Sequence, residues 1–90
     1  MLKCRVKISN RLGLHARAAA QLVRLASSFQ SKIILLRKDN AVIADAKSIL
    51  SVLTLAAAKG TELKLTVEGE DEHEAQKAVT ELIINGFGEL

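Results

Sequence analysis

Alternation of apolar and polar residues at two places in the chain limits the possible folds more than any other feature. Near the start, single polar residues separate the apolar side chains of Leu2, Cys4, Val6 and Ile8. Later in the chain, single polar residues likewise separate Leu63, Leu65 and Val67. Side chains of a β-strand point to opposite faces in turn, so each segment predicts a strand with one face on a core and the other in water.

Three other segments carry apolar side chains at the spacing of three to four residues that predicts a helix. The first begins at Ala16. The second follows Ser48, a residue type suited to cap a helix, and extends to about Ala58. The third follows Asp71 and Glu74, which have the spacing of a capping box.

Two short apolar runs, at 33–36 and 41–44, predict a hairpin whose turn is formed by residues 38–40. The resulting order is βαββαβα. Because half-polar strands do not suit a parallel sheet covered on both faces, we expect an α+β fold with a four-stranded, mostly antiparallel sheet and three helices on one face. Ninety residues, 49% of them hydrophobic and none of them Trp or Tyr, predict a single domain over 1–90 with an aliphatic core.

Charge is distributed unevenly along the chain. Residues 1–48 contain ten Lys and Arg against two acids, whereas residues 49–90 contain three Lys against eight acids. The basic half favours an acidic partner surface or an anionic group. Only two aromatic residues and no run of Lys or Arg argue against a nucleic-acid partner.

The cysteine and histidine residues bear on the cellular location and on the binding of cofactors. The single Cys4 predicts no internal disulfide, and we expect a cytoplasmic protein without a signal peptide or membrane insertion. Cys4, His15 and His73 lack the spacing of metal ligands, and no Gly-rich Walker pattern is present. We therefore expect neither a metal nor another cofactor.

The candidate site is His15, at the junction between a loop and the first predicted helix. Backbone N–H groups in the first turn of a helix lack partners within the helix, and the helix dipole favours an anion there. An imidazole at this point can act as a nucleophile toward phosphorus, with the backbone N–H of Ala16 and the guanidinium of Arg17 binding the phosphoryl oxygens. On these residues alone, His15 is equally well explained as a helix cap and Arg17 as a solvated side chain.

Several separated motifs accompany that histidine. They are Gly13-Leu14-His15-Ala16-Arg17, Lys47-Ser48-Ile49-Leu50, Ala58-Lys59-Gly60 and Glu68-Gly69-Glu70-Asp71-Glu72. In this order they resemble the HPr family, the histidine-containing phosphocarriers of the bacterial phosphotransferase system. The resemblance implies an open-faced β-sandwich in which Nδ1 of His15 takes a phosphoryl group from phosphorylated Enzyme I and passes it to an Enzyme IIA-type domain. It implies a phosphate-stabilising role for Arg17 and a stoichiometric carrier that is not an enzyme.

One position departs from the family pattern. Members usually carry Pro after the arginine, whereas this chain has Ala18. Pro suits the first turn of a helix, but Ala is also a strong helix former. We therefore expect the site to survive with a slightly less rigid entry into the helix.

The second helix carries a possible regulatory and docking surface. Ser48 resembles the serine that HPr kinase/phosphorylase modifies in many family members, although a capping role alone would also explain it. The helix is more apolar than one buried stripe requires, so some of its side chains are expected to form an exposed patch for a transient partner, unless all are core. The resemblance implies that Enzyme I and Enzyme IIA partners contact this helix. The candidate partner-binding residues are Arg24, Ile49, Leu50 and Leu53.

Other functions remain open from the sequence. The ending at 85–89 resembles the nitrogen branch of the family more than the sugar branch. A pure binding protein that controls a transcription regulator or an enzyme through Ser48 and the second helix is a second class. A hydrolase with His15 as general base is the third, disfavoured because no nucleophile or carboxylate is close in sequence. An accessible transfer site favours a monomer.

Overall fold

A computed structural model describes residues 1–89 of the chain. The strands are β1 (Leu2–Lys7), β2 (Lys32–Arg37), β3 (Ile43–Asp45) and β4 (Glu62–Glu68). The helices are α1 (Ala16–Ser27), α2 (Ile49–Thr54) and α3 (Glu72–Ile84), followed by a 3-10 turn over Gly86–Gly88. The predicted order of strands and helices is confirmed.

The four strands form one sheet in the order β1-β4-β2-β3, and every neighbouring pair is antiparallel. Leu65 at the centre of β4 pairs with Cys4 on one side and Leu35 on the other. Apolar side chains at alternate positions therefore share one face of the sheet. Helix α3 packs on β1 and β4, α2 lies against β3, and α1 packs between α2 and α3. The expected fold, an open-faced sandwich of an antiparallel sheet and three helices, is confirmed.

Buried apolar side chains form one cluster between the sheet and the helices. Aliphatic residues such as Leu22, Leu35 and Leu65 are fully buried, and each contributes about 1.5–3 kcal/mol through removal of its surface from water. Phe87 is the one aromatic residue counted in the core of the described chain, and it lies beyond the last helix. That ring anchors the 3-10 turn that follows α3.

The second helix is shorter than predicted. It ends at Thr54 and not near Ala58. The guanidinium of Arg37 donates to the carbonyl oxygens of Leu55 at 2.8 Å and Ala56 at 3.1 Å, which supplies the helix end with donors from outside. Ala56 has φ 48°, so the backbone has already left the helical conformation.

The capping box predicted for α3 is wrong. Asp71 precedes the helix, but its carboxylate accepts hydrogen bonds from the backbone N–H groups of Gln30 and Ser31 and from the Ser31 hydroxyl. The Ser31 hydroxyl first, and then the Gln30 amide, hold the pKa of Asp71 below its usual 3.8. The carboxylate that bonds back before the helix is Glu72, whose Oε1 accepts from Gly69 N at 3.1 Å.

A smaller shift affects β3, which runs over Ile43–Asp45 instead of 41–44. Ala41 has φ 59° and so belongs to the turn.

Cys4 and His73 lie on different elements of the fold. Cys4 is half-buried with Sγ 3.9 Å from Thr80 Oγ1, and His73 is exposed on α3. Across residues 1–89, no His, Cys, Asp and Glu side chains gather in a metal-binding group. In the same range, no helix combines the length and hydropathy needed to cross a bilayer.

Candidate functional site

The loop before α1 is held against the segment that follows α2. Leu14 N donates to Ala57 O at 2.8 Å. Gly13 beside it has φ +67°, and a Cβ added there would lie 2.4 Å from the same carbonyl oxygen. Only glycine combines this backbone conformation with so close an approach. The position of His15 therefore depends on a contact between two loops far apart in sequence.

His15 is the N-cap residue of α1, with φ −72° and ψ 176°. Its side chain makes no capping hydrogen bond, in contrast to the usual role of this position. The imidazole side chain is 25% exposed. Within residues 1–89, the backbone N–H groups of Ala16 and Arg17 have no hydrogen-bond partner, as expected for a first helical turn. The histidine and two free donors thus lie together at the positive end of the helix dipole.

The imidazole ring is held by a carboxylate from the far end of the chain. Nε2 of His15 lies 2.6 Å from Oε2 of Glu89, which is 74 residues away in sequence. Nδ1 of the ring makes no hydrogen bond within the described residues. The two ring nitrogens therefore have different surroundings, one paired with a carboxylate and one without a partner from residues 1–89.

Asn10 orients that carboxylate. Its side chain is fully buried, and its Nδ2 donates to Gly13 O at 2.8 Å and to Glu89 Oε1 at 2.9 Å. Both partners are acceptors, which fixes the direction of the amide. Asn10 Oδ1 has no partner among residues 1–89. The Asn10 hydrogen bond first, then the hydrogen bond from His15, and then the charges of His15 and Arg17 hold the pKa of Glu89 below its usual 4.5.

The 3-10 turn after α3 brings Glu89 to this point. Phe87 has φ 57°, which is rare for a bulky residue, and its ring is buried with 3% exposure. Gly86 and Gly88 on either side also have positive φ. Burial of the aromatic ring offsets the strained backbone, which costs about 1–2 kcal/mol. The chain thereby reverses after Ile84 and returns to the start of α1.

Arg17 extends its guanidinium into solvent. The side chain is 72% exposed, and its contact with the site is Nη2 at 3.5 Å from Glu89 Oε2. A cleft of about 620 Å³ lies beside this side chain. Its lining consists of Arg11, Leu12, Arg17, Gln21, Phe87, Gly88 and Glu89. Two arginines and a carboxylate thus line an open hollow next to the histidine.

The second predicted phosphorylation site has a different geometry. Ser48 is half-buried at the N-cap of α2, and its Oγ accepts a hydrogen bond from Ser51 N at 3.3 Å. The exposed apolar side chains of α2 are Ile49 at 39%, Leu50 at 74% and Leu53 at 37%. Arg24 is exposed near the end of α1. Helices α1 and α2 pack together, which brings the α2 surface to the same side of the molecule as α1.

Sequence reasoning missed Asn10 and Glu89 as members of the site, and it missed the exposed side chain of Leu12, which is 64% accessible. No carboxylate lies near His15 in the sequence, but the folded chain places the carboxylate of Glu89 next to its ring. No hydroxyl or thiol within residues 1–89 hydrogen-bonds to the ring, so the pair lacks the nucleophile of a hydrolase. The sequence shows a polar Asn10 in the loop and an acidic Glu89 after two glycines, but neither feature indicates that these side chains contact each other.

Comparisons with known proteins show which family this chain resembles. The family model for the PTS HPr component phosphorylation site matches residues 2–85. The phosphocarrier protein HPr of Xylella fastidiosa strain Temecula1 is 47% identical over 89 residues, covering 99% of this chain and 98% of the relative. HPr-C-His from Thermoanaerobacter tengcongensis superposes with a TM-score of 0.92 at 41% identity, covering 100% of this chain and 99% of that one.

A second solved structure from Thermoanaerobacter tengcongensis, an HPr dimer, has a TM-score of 0.76 and 42% identity and covers 99% of this chain and all of its own. The family match, the close relatives and the shared fold lead to the same result. This chain belongs to the HPr family, the phosphocarrier proteins of the phosphotransferase system, which carry phosphoryl groups and are not enzymes.

Proposed function

We propose that His15 accepts a phosphoryl group on Nδ1 from phosphorylated Enzyme I and passes it to Enzyme IIA-type domains. The observation that carries this proposal is the imidazole at the start of α1, partly exposed, with Nδ1 unpaired within residues 1–89 and two free backbone donors beside it. Those donors and the helix dipole favour the charge of a phosphoryl group. Arg17, 72% exposed with its Nη2 3.5 Å from Glu89 Oε2, is free to bind the phosphoryl oxygens.

The direct test is incubation with phosphoenolpyruvate and Enzyme I, followed by phosphosite mapping under alkaline conditions that preserve phosphohistidine. We expect phosphate on His15 in the wild type and in His73→Ala, which removes the exposed second histidine. We expect none in His15→Ala. Phosphate on His73, or an unmodified chain in the presence of a competent Enzyme I, would contradict the proposal.

The surface of α2, with Arg24 of α1, is the proposed docking site for both partners. Leu50 is 74% exposed, so burial of this side chain against a partner offers a large gain that the free protein does not realise. Leu50→Asp should raise the KM of Enzyme I for this protein about tenfold or more with little change in the free energy of unfolding. The matched control is Ile43→Asp, because Ile43 is similarly exposed at 64% but lies on β3. Equal effects of the two variants would exclude α2 as the docking site.

A regulatory role through Ser48 is the second candidate. The observation that favours it is a half-buried serine at the start of α2, directly before the exposed Ile49 and Leu50. A phosphate there would place about two negative charges at the docking surface without breaking the helix. Incubation with a serine HPr kinase and ATP should give phosphoserine at Ser48 by mass spectrometry and slow transfer to His15. An unmodified Ser48 would remove this role for that kinase.

Three further proposals concern the branch of the phosphotransferase system, the cellular location and the oligomeric state. The ending at 85–89 supports a nitrogen-branch carrier as the alternative to the sugar branch, and comparison of the phosphorylation rates with the Enzyme I of each branch separates them. We place the protein in the cytoplasm as a monomer of one domain, because the transfer site is accessible on a single chain. Light scattering should give the mass of one chain, and a stable dimer would contradict this.

The alanine after the arginine is compatible with the proposed site. Ala18 is fully buried in the first turn of α1, and the helix forms at the expected residue without Pro. Phosphoryl acceptance should therefore proceed in the wild type. A requirement for Ala18→Pro before purified protein accepts phosphate would show that the entry into the helix is too loose.

A further inference from the structure

Hydrogen bonds from Asn10 and from His15 converge on the carboxylate of Glu89. Asn10 Nδ2 is held by Gly13 O at 2.8 Å and donates to Glu89 Oε1 at 2.9 Å. The other oxygen of that carboxylate lies 2.6 Å from Nε2 of His15. A carboxylate accepts and does not donate, so the hydrogen in this contact belongs to the ring nitrogen.

We propose that Glu89 is a positioning residue for phosphoryl transfer, which keeps the His15 proton on Nε2 and so leaves the lone pair on Nδ1. This inference rests on the proposed function of His15. The hydrogen bond made by one ring nitrogen sets the tautomer, and the tautomer decides which nitrogen is the nucleophile. Asn10 fixes the carboxylate from behind, and Arg17 and Arg11 supply positive charge on the side of the cleft.

The transfer then balances without a further reactant. The Nδ1 lone pair forms the N–P bond while the bond between phosphorus and the donor breaks, and that electron pair stays on the donor. Nε2 keeps its proton, so the phosphorylated ring carries a positive charge facing the Glu89 carboxylate. In onward transfer the N–P bond breaks and its electron pair returns to Nδ1. Glu89 offsets the charge of the ring in the intermediate state and exchanges no proton.

Replacement of Glu89 by glutamine provides a sharp test because Asn10 fixes how the new amide lies. Asn10 Nδ2 still requires an acceptor, so the oxygen of the glutamine amide stays on Asn10 and its NH₂ group faces the ring. That group donates to Nε2, which moves the ring proton to Nδ1. Glu89→Gln therefore inverts the tautomer with almost no change in shape, whereas Glu89→Ala only removes the contact.

The first measurement is the tautomer of the unphosphorylated protein. Nitrogen-15 NMR at about pH 9, where imidazoles are neutral, reports which ring nitrogen carries the proton. We expect Nε2–H in the wild type and in Glu68→Gln, a variant with the same charge change at an exposed position on β4. We expect Nδ1–H in Glu89→Gln. An unchanged tautomer in Glu89→Gln would overturn the inference, whatever the fate of the proposed function.

The second measurement is phosphorylation by Enzyme I. We expect Glu89→Gln to lower the rate at saturating protein at least ~10-fold, as in other carboxylate–histidine pairs, with KM nearly unchanged. Glu68→Gln should match the wild type. A rise in KM alone would assign Glu89 to docking and overturn the positioning role. If the wild type is never phosphorylated, both the proposed function and the positioning role are excluded. The NMR measurement would still show separately whether Glu89 determines which ring nitrogen of His15 carries the proton.

Discussion

The starts of α1 and α2 differ in what their N-cap residues do. Ser48 accepts a hydrogen bond from the backbone of its own helix, whereas the side chain of His15 bonds to Glu89 and leaves the first-turn amides free. Helix α1 has twelve residues and four that are fully buried, while α2 has six residues and only Val52 buried. A long, well-packed helix does not need a side-chain cap, so its N-cap position is available for chemistry.

The short helix depends on bonds at both of its ends. Ser48 supplies an acceptor at the start, and Arg37 supplies donors to the carbonyl oxygens that follow the last turn. A six-residue helix is marginal by itself, so most of its stability comes from such contacts and from packing. Phosphorylation at His15 is therefore expected to leave α1 intact, whereas modification of Ser48 alters a contact on which α2 relies.

Exchange of the N-cap residue of α1 should give the largest effect. His15→Ser removes the phosphoryl acceptor, so Enzyme I should produce no phosphohistidine at all. Because serine can bond to the free first-turn amides, stability to urea should stay the same or rise by up to about 1 kcal/mol. His15→Ala, which cannot cap, is the control for the stability change. A marked loss of stability in both variants would show that α1 depends on the histidine.

Loss of the loop contact behind His15 should come next. Gly13→Ala introduces a Cβ at 2.4 Å from Ala57 O and a strained φ, which should cost about 2–3 kcal/mol of unfolding free energy and slow phosphorylation of His15. Gly60→Ala is the matched control, because Gly60 has φ +90° and a Cβ added there would meet no other part of residues 1–89 within 4 Å. It should cost about 1 kcal/mol and leave the phosphorylation rate unchanged. Equal costs in the two variants would mean that the loops are not in close contact.

Loss of the serine cap should have a smaller effect. Ser48→Ala removes the acceptor for Ser51 N and should lower the free energy of unfolding by about 1 kcal/mol in urea titrations. Phosphorylation of His15 by Enzyme I should not change. Ser48→Thr retains the hydroxyl and should recover most of the stability. Full stability in Ser48→Ala would show that α2 needs no cap and would weaken the contrast with α1.

A substitution at the start of α3 should have the smallest effect, which appears only in how the free energy of unfolding varies with pH. Because the pKa of Asp71 is below its usual 3.8, its ionised form stabilises the fold above that value, and the stabilisation is lost as pH falls through the folded-state pKa. Asp71→Asn should therefore flatten the acid side of the stability profile measured by urea unfolding. Glu70→Gln removes a neighbouring charge as control. An identical acid limb in wild type and Asp71→Asn would exclude this role.

Local signals in the sequence were sufficient for most of the fold. Alternation located β1 and β4, apolar spacing located α1 and α3, and hydrophobic runs located β2 and the hairpin. The segment after α2 was mispredicted because three alanines in a row favour helix, while Arg37 and the docking of the His15 loop impose another backbone there. The capping box failed because Asp71 has better partners on a loop that sequence spacing does not reveal.

By itself, the sequence determined the order of the elements, the face of each strand that is buried, and the placement of His15 and Arg17 at the start of a helix, because these depend on neighbours within a few residues. Only the tertiary structure decided the surroundings of the imidazole. Glu89 reaches His15 across 74 residues through a turn anchored by Phe87, and Asn10 orients it from a buried position. Such contacts arise from the packing of segments that are distant in sequence, and a local periodicity of residues cannot predict them.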